Sequence, residues 1–186
     1  DLNVHGSDVR APAMMLEDRY LVWKLKRGSA QALGRIYHRY ENDLLTLATN
    51  LLGRMGLEED VLQDVFVKFI ESIDTFELTG SLKGYLAQCV VNRARDYQRR
   101  DRRRAREPLL AAGETTSEYH GPLGAVIADE RRQRLVAALA ELPEEQRETV
   151  LLHLHGGLRF REIAGMQGIS AKTAWSRYRY GLERLR

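Results

Sequence analysis

The sequence contains very little of what builds disulfides, metal clusters or membrane spans. Its 186 residues include one cysteine, Cys89, so an internal disulfide and a cysteine zinc cluster are excluded. Prolines number four, while Leu, Ala, Arg and Glu dominate, which favours an all-α fold. No run of about 18 apolar residues is present, and the polar first residues lack the apolar centre of a secretory signal.

Motifs for enzyme chemistry are missing as well. The chain has no glycine-rich phosphate loop and no Ser/His/Asp or Cys/His arrangement with a supporting motif. His153 and His155 are two residues apart, so on a helix they point to different sides and cannot readily share a metal. We therefore expect no enzyme, no metal, no cofactor and no small-molecule substrate.

The net charge of +3 conceals two basic blocks. Residues 81–107 carry a net charge of +6 and residues 158–186 a net charge of +5, whereas residues 1–80 and 108–157 each carry −4. Two separate basic blocks suggest two contact points on a polyanion. Two solvated helix faces would have the same composition, so charge alone leaves both interpretations open.

Apolar periodicity divides the chain into two helical units. We expect residues 1–13 to be a disordered extension and residues 14–106 to form a four-helix domain, whose third helix buries a stripe that includes Ile70. Residues 107–124 contain two prolines, three glycines and a Thr-Thr-Ser run, which is typical of an interdomain linker. Residues 125–186 form the second domain, with Pro143 in the first turn of its second helix.

The end of the chain has the layout of a helix-turn-helix. Ala164 suits a close helix crossing, Gly168 a tight turn, Ile169 a buried anchor and Ser170 a helix cap. On the last helix, Lys172, Ser176, Arg179 and Tyr180 lie opposite the apolar side, flanked by Trp175 and Arg177. The cations of this helix could bind DNA phosphates, and its hydroxyls could bind base edges. The alternative is an ordinary helical hairpin with a solvated basic face.

Two further segments carry weaker signals. Residues 92–104 form a basic helix end with Phe76, Tyr85 and Tyr97 nearby, and cations with stacking platforms are typical of single-stranded DNA binding. Pairing of these arginines with acids is the alternative. Residues 58–66 group acidic and amide side chains at the start of an amphipathic helix, where a protein partner could recognise them or where they could simply complement the helix dipole.

In this order and spacing, the three segments resemble the extracytoplasmic-function sigma factors, from about Met15 to Arg186. Residues 59–66 resemble the stretch that docks on the clamp of core RNA polymerase, which implies contacts by Glu59, Asp60, Gln63 and Asp64. Residues 81–86 and 91–100 resemble the segment that melts and reads the minus-ten element. The residues implied there are Phe76, Thr79, Ser81, Lys83, Tyr85, Asn92, Arg93, Asp96, Arg99 and Arg100.

Residues 142–147 and 157–164 resemble the region that binds the minus-thirty-five element. The residues implied there are Lys172, Thr173, Trp175, Ser176, Arg177, Arg179 and Tyr180. The family usually places cations where this chain has Trp175 and Tyr180, so we expect an unusual minus-thirty-five preference. Whether Trp175 faces DNA or packs on its own domain stays open from the sequence.

The resemblance implies two small helical domains that bind core RNA polymerase and promoter DNA and start transcription in the cytoplasm. It also implies an anti-sigma factor, often membrane-tethered. The resemblance further implies a pocket for a flipped minus-ten base between residues 76–81 and Asn92. The alternative is a stand-alone helix-turn-helix regulator with a sensing or dimerisation domain, which would leave residues 59–63 and 92–96 unexplained.

Overall fold

The computed structural model describes residues 11–53, 55–104 and 123–186, and all of the regular secondary structure in these ranges is helical. The helices are α1 (Ala11–Lys26), α2 (Ala30–Leu52), α3 (Glu58–Glu71), α4 (Leu82–Arg104), α5 (Leu123–Ala140), α6 (Glu144–Leu154), α7 (Phe160–Gln167) and α8 (Ala171–Arg184). The all-α fold expected from composition and periodicity is confirmed. Helices α1–α4 form the first unit and α5–α8 the second.

Several helix ends lie where local sequence signals place them. The hydroxyl of Ser29 accepts a hydrogen bond from the backbone N–H of Ala32 at 3.3 Å and so caps α2. The hydroxyl of Ser170 does the same for Thr173 at 3.0 Å and caps α8. Gly168 adopts a left-handed conformation with φ of 65°, which lets the chain turn from α7 into α8.

Two helices of the first unit are longer than expected. Helix α1 begins at Ala11 and not at Met14, because Pro12 fits the first turn of a helix, where its missing N–H costs nothing. Helix α4 continues to Arg104, since arginine is a good helix former. The remainder of the predicted N-terminal extension, residues 1–10, lies outside the described residues.

Two boundaries in the second unit also differ from expectation. Helix α5 begins at Leu123, inside the predicted linker of residues 107–124, and the rest of that linker lies outside the described residues. Pro143 precedes α6 as its N-cap, with φ of −51° and ψ of 140°, and does not occupy its first turn. Because the ψ angle of Pro143 is extended and not helical, α6 begins only at Glu144.

The core of the first unit is built around α2, which packs against α1, α3 and α4. Its inward stripe includes Ile36, Tyr40, Leu44 and Leu47, all at most 1% exposed. The hydroxyl of Tyr40 donates to the carboxylate of Asp18 at 2.7 Å, which satisfies the one buried acid of α1. Helices α3 and α4 are therefore supported by a well-packed core around α2.

The second unit packs α6 against α8 at close range. A methyl group at Gly181 of α8 would lie 2.8 Å from Cγ2 of Val150, so only glycine allows this approach. The ring of His153 stacks on Phe160 with centroids 4.5 Å apart and meets Tyr178 edge-on at 4.9 Å. Its Nδ1–H donates to the carbonyl oxygen of Leu158 at 2.8 Å, which fixes the turn that leads into α7.

The two units contact each other through α2 and α4 on one side and α5 and α6 on the other. Leu158, in the turn between α6 and α7, fits against Gly84 of α4 so closely that a methyl group at Gly84 would lie 2.5 Å from Leu158 Cδ2. A methyl group at Gly156 would lie 2.5 Å from the carbonyl oxygen of Leu152 in its own unit and 3.2 Å from Cβ of Ala87 on α4. The absence of a side chain at Gly84 thus allows close packing between the units.

Candidate protein and nucleic-acid interface

The predicted polymerase-contacting residues do not share one environment. Glu59, Asp60 and Gln63 are exposed on the outer face of α3. Val67 and Ile70 continue that face at helical spacing and are 46% and 39% exposed. The expectation that Ile70 is buried was wrong, because α3 turns this side away from α2 and α4. The outer face of α3 therefore carries acidic and amide side chains towards its N-terminus and apolar side chains towards its C-terminus. This mixture suits contact with another protein.

Asp64 lies instead against α4. Its Oδ2 accepts hydrogen bonds from Arg93 Nε at 2.7 Å and from the hydroxyl of Tyr97 at 3.0 Å. Burial of the Asp64 carboxyl acts to raise its pKa, but the bonds from Arg93 and Tyr97 outweigh burial, and the pKa lies below its ordinary value. Asp64 and Arg93 therefore neutralise each other and join α3 to α4.

The aromatic residues expected to stack on DNA form a cluster with the core. Phe76 and Tyr85 lie 4.6 Å apart, and both meet the buried ring of Phe69, at 5.2 Å and 6.0 Å. Each is half-buried, so only one side of each ring faces outward. Burial raises the pKa of the Tyr85 hydroxyl. Phe76 and Tyr85 are therefore only partly available to a ligand at the surface of the first unit.

The loop and the first turn of α4 supply polar groups beside this cluster. Thr79 is exposed, and the hydroxyl of Ser81 accepts from the backbone N–H of Gly84 at 3.2 Å. Lys83 pairs with Asp43 of α2 at 2.6 Å. His155 of the second unit is nearby, and its pKa is lowered by burial and by Lys83, against the effect of Asp43. Asp43 therefore partly neutralises the charge of Lys83 even when no ligand is bound.

A cleft of about 550 Å³ runs along the outer side of α4. It is lined by Asn92, Arg95, Asp96, Gln98, Arg99, Arg102 and Arg103 of α4 and by Glu144 of α6. The structure thus brings Asn92, Asp96 and Arg99 together, while residues 76–81 do not line this cleft. The amide oxygen of Asn92 accepts from Gln88 Nε2 at 2.8 Å, and Asp96 pairs with Arg99 at 3.0 Å. Arg100, on the same helix, is exposed.

One wall of the cleft is an ion pair between the units. The guanidinium of Arg95 donates from two nitrogens to the two carboxylate oxygens of Glu148 on α6. The side chain of Glu148 is 2% exposed and that of Arg95 is 40% exposed. The hydrogen bonds to Glu148 raise the pKa of Arg95. Arg147, next to Glu148, is also buried, which lowers its pKa. Pairing of the α4 arginines with acids is thus realised at Arg95, with a partner that the sequence did not identify.

Helix α8 presents most of its predicted residues outward. Lys172, Thr173, Trp175, Arg179 and Tyr180 are exposed, and Ser176 is half-buried. Trp175 is 48% exposed, so it does not pack into the core of its own unit. The guanidinium of Arg179 lies over the rings of Trp175 and Tyr180, at 5.2 Å and 4.8 Å from their centroids. Arg179, which also pairs with Glu183 at 3.8 Å, and the two rings form one cation–aromatic cluster.

Arg177 is held differently from its neighbours on α8. It is half-buried, and its Nη1 donates to the amide oxygen of Gln167 at 2.8 Å. The hydroxyl of Thr149 on α6 lies 3.2 Å from the same oxygen, while it donates to the carbonyl oxygen of Glu145 at 2.6 Å. Gln167 therefore contacts α6 and binds α8, and it fixes the direction of Arg177. Apart from its place just before the turn, nothing in the sequence marks Gln167 as a structural residue.

The described part of the chain offers no group of three or more His, Cys, Asp or Glu side chains that could hold a metal. Cys89 is partly buried among apolar neighbours, and burial raises the pKa of its thiol. Among the described helices none is long and apolar enough to cross a membrane.

Comparison with known proteins gives consistent results. The family described as Sigma-70 region 2 matches residues 36–104, and the family described as Sigma-70, region 4 matches residues 132–185. The ECF RNA polymerase sigma-E factor of Escherichia coli K12 is 26% identical over 170 residues, which cover 87% of this chain and 88% of that protein. The sigma-E factor of Haemophilus influenzae is 26% identical over 173 residues, covering 89% and 91%.

Two solved structures have a similar fold. CnrH, in complex with the cytosolic domain of CnrY, has a TM-score of 0.68 at 22% identity, covering 91% of this chain and 94% of that one. The sigma factor RpoE of Bartonella quintana, in complex with the anti-sigma factor NepR, has a TM-score of 0.64 at 22% identity, covering 82% and 92%.

Replacing Asp64 by asparagine tests the pair that joins α3 to α4. Because its pKa is lowered in the folded chain, Asp64 stabilises the fold above about pH 4, and this stabilisation is lost as pH falls through the folded pKa. We expect Asp64→Asn to cost about 0.5 kcal/mol at neutral pH, since the pair is partly exposed, and less at about pH 3. Urea unfolding at both pH values measures this. Asp60→Asn, at an exposed site, is the control, and an equal cost at both pH values would contradict the assignment.

Proposed function

Because the chain belongs to the extracytoplasmic-function family of sigma-70 factors, we propose that α3 binds core RNA polymerase, α4 the minus-ten element and α8 the minus-thirty-five element. The observation that carries this proposal is the occurrence of regions 2 and 4, in order, in one chain. Such a factor acts as a subunit that starts transcription and has no catalysis of its own. It works in the cytoplasm, where polymerase and promoters are found.

A stand-alone helix-turn-helix regulator is the less favoured function. It would account for the second unit, but the match of residues 36–104 to sigma region 2 leaves no room for a sensing or dimerisation domain there. No cofactor or small-molecule substrate is required for the function that we propose.

The polymerase-binding surface consists of Glu59, Asp60, Gln63, Val67 and Ile70 on the outer face of α3. Polar groups at one end would fix the orientation of the partner, and the two exposed aliphatic side chains would supply apolar contact area. Asp64 contributes by holding Arg93, and through it α4, at a fixed position relative to this surface.

The minus-ten surface lies along α4. The amide of Asn92 can read a base edge, while Arg99 and Arg100 are placed for phosphates. Asp96 orients Arg99 through their ion pair. The exposed edges of Phe76 and Tyr85, with Thr79, Ser81 and Lys83, would receive the melted strand at the start of the helix. Arg93 acts as a structural cation paired with Asp64.

The minus-thirty-five surface is the outer face of α8. Lys172, Thr173 and Ser176 offer a cation and hydroxyls, and Arg177, held by Gln167, supplies a fixed guanidinium. Trp175 and Tyr180 flank Arg179, so this part of the face combines one cation with two rings. We propose that it contacts thymine methyls or sugars and so recognises an unusual element.

A protein inhibitor is part of the same proposal. RpoE of Bartonella quintana was solved with the anti-sigma factor NepR, and the present chain shares that fold. We propose that an anti-sigma factor, which can be membrane-tethered, occupies the polymerase-binding or promoter-binding surfaces of this chain. Its release would free α3 and α4 together.

The double substitution Asp60→Ala with Gln63→Ala tests the polymerase assignment. Both side chains are exposed, so we expect core-polymerase affinity and run-off transcription to fall about tenfold or more, with little change in melting temperature. The matched control is Gln31→Ala with Glu141→Ala, two exposed residues outside the surface. Unchanged affinity in the test variant would remove the assignment of α3.

The substitution Trp175→Lys tests the unusual part of α8. An added cation should contact one more phosphate, so we expect the salt dependence of promoter binding by the holoenzyme to steepen by about one unit and promoter choice to change. Trp23→Lys, at an equally exposed tryptophan on α1, is the control and should change neither. Unaltered promoter choice and salt slope for Trp175→Lys would exclude Trp175 from the DNA contact.

A further inference from the structure

A small cavity of about 190 Å³ lies where the C-terminal end of α2 meets α4, α5 and α6. Part of its wall is apolar and consists of Leu51, Leu52, Met55 and Ala140. Gln98 of α4, which also lines the cavity, donates to the carbonyl oxygen of Leu51 at 2.7 Å and holds this end of α2 in place. Because sites for drug-sized ligands measure about 300–1,000 Å³, this cavity suits a molecule with only a few heavy atoms.

Arg147 of α6 lines this cavity as a buried cation. It is 9% exposed, and its Nε has no hydrogen-bond partner in the described part of the chain. The charge of Glu148 acts on Arg147, but the carboxylate of Glu148 is bound by Arg95. Glu144 is likewise paired with Arg102, at 3.5 Å. Burial outweighs the effect of these two acids, so the pKa of Arg147 lies below its ordinary value.

A buried cation without an ion-pair partner opposes folding. Arginine remains protonated at neutral pH, so burial cannot be relieved by loss of the proton. Methionine, an apolar side chain of similar length, would fill the same space without that cost. A charge that opposes folding and also lines a cavity is characteristic of a ligand site, where stability is lost in favour of binding.

The other polar groups of the cavity define the charge of a matching ligand. Asn50 is 6% exposed and contributes an amide that can donate hydrogen bonds. Asp101 contributes a carboxylate, and Arg102 a cation that it shares with Glu144. The two cations and one carboxylate of Arg147, Arg102 and Asp101 leave one net positive charge. A ligand with one negative charge therefore matches the cavity better than a phosphate group, which carries nearly two at neutral pH.

We propose that this cavity binds a small organic carboxylate. The guanidinium of Arg147 donates parallel hydrogen bonds to the two carboxylate oxygens, a geometry for which arginine is suited. The amide of Asn50 donates to the same group. The aliphatic part of the ligand packs against Leu51, Leu52 and Met55, which exclude water and so strengthen the ion pair. The proposal does not depend on the functions assigned to α3, α4 and α8.

Titration of the full-length chain with sodium butyrate, followed by NMR of the isotopically labelled protein, tests the site. We expect the signals of the Asn50 side-chain amide and of the Arg147 Nε–H to shift with a Kd of about 1 mM, since the ligand has few heavy atoms. Butanol has the same aliphatic chain without the charge, and inorganic phosphate has the charge without the chain. Both should bind at least about tenfold more weakly than butyrate.

The variant Arg147→Met removes the cation and keeps the length of the side chain. We expect butyrate binding to weaken at least about tenfold, while the melting temperature stays the same or rises because an unpaired buried charge is lost. A purely structural arginine would instead lower the melting temperature when replaced. Arg147→Lys keeps the charge without the planar fork and should bind with intermediate affinity. Arg161→Met, at an exposed arginine outside the cavity, is the matched control and should bind butyrate normally.

Ala140→Phe keeps the site testable if Arg147→Met does not fold. Ala140 is exposed at the end of α5 and lines the cavity, so a phenyl group there takes up the space of the ligand without removing a buried group. We expect butyrate binding to be lost, with the helical content retained by circular dichroism.

Three results would overturn the site: no shifts at butyrate concentrations well above the expected Kd, equal affinity for butanol, or unweakened binding in whichever of Arg147→Met and Ala140→Phe is folded. Tighter binding of phosphate than of butyrate would overturn the assignment to a carboxylate. Each result is independent of transcription, so the proposed function is tested separately.

Discussion

The contact between the two units is centred on one ion pair, that of the buried Glu148 with the partly exposed Arg95. Glu148 lies on α6, which also carries the tight crossing with α8, and Arg95 lies in the middle of α4. Removing Arg95 would leave the buried carboxylate of Glu148 unpaired, which is costly. The pair therefore favours the observed contact between the two units.

Within the first unit, the ion pair of Asp64 with Arg93 has a different role. Asp64 joins the helix that we assign to polymerase to the helix that we assign to DNA, through Arg93 and Tyr97. The two surfaces are therefore joined by side-chain bonds, so that docking of α3 would orient α4. Helix α8 is aligned in a similar way, since the amide oxygen of Gln167 accepts from Arg177 and lies beside the hydroxyl of Thr149 on α6.

The sequence was sufficient for features that depend on neighbouring residues. Periodicity and the signals at Ser29, Gly168 and Ser170 placed the helices and the helix-turn-helix, because caps and turns are local. The pairs of Asp64 with Arg93 and of Arg95 with Glu148 could not be predicted, because their partners are far apart in the chain and a basic helix face has the same composition whether it is paired or solvated. The exposure of Ile70 depended likewise on how α3 is rotated against α2.

Run-off transcription from genomic fragments, with and without the chain added to purified core RNA polymerase, tests the proposed function most directly. We predict that defined start sites appear only when the chain is present, and that the sequences upstream of them share one element near minus ten and another near minus thirty-five. The same start sites without the chain, or start sites with no shared upstream elements, would contradict a role in promoter recognition.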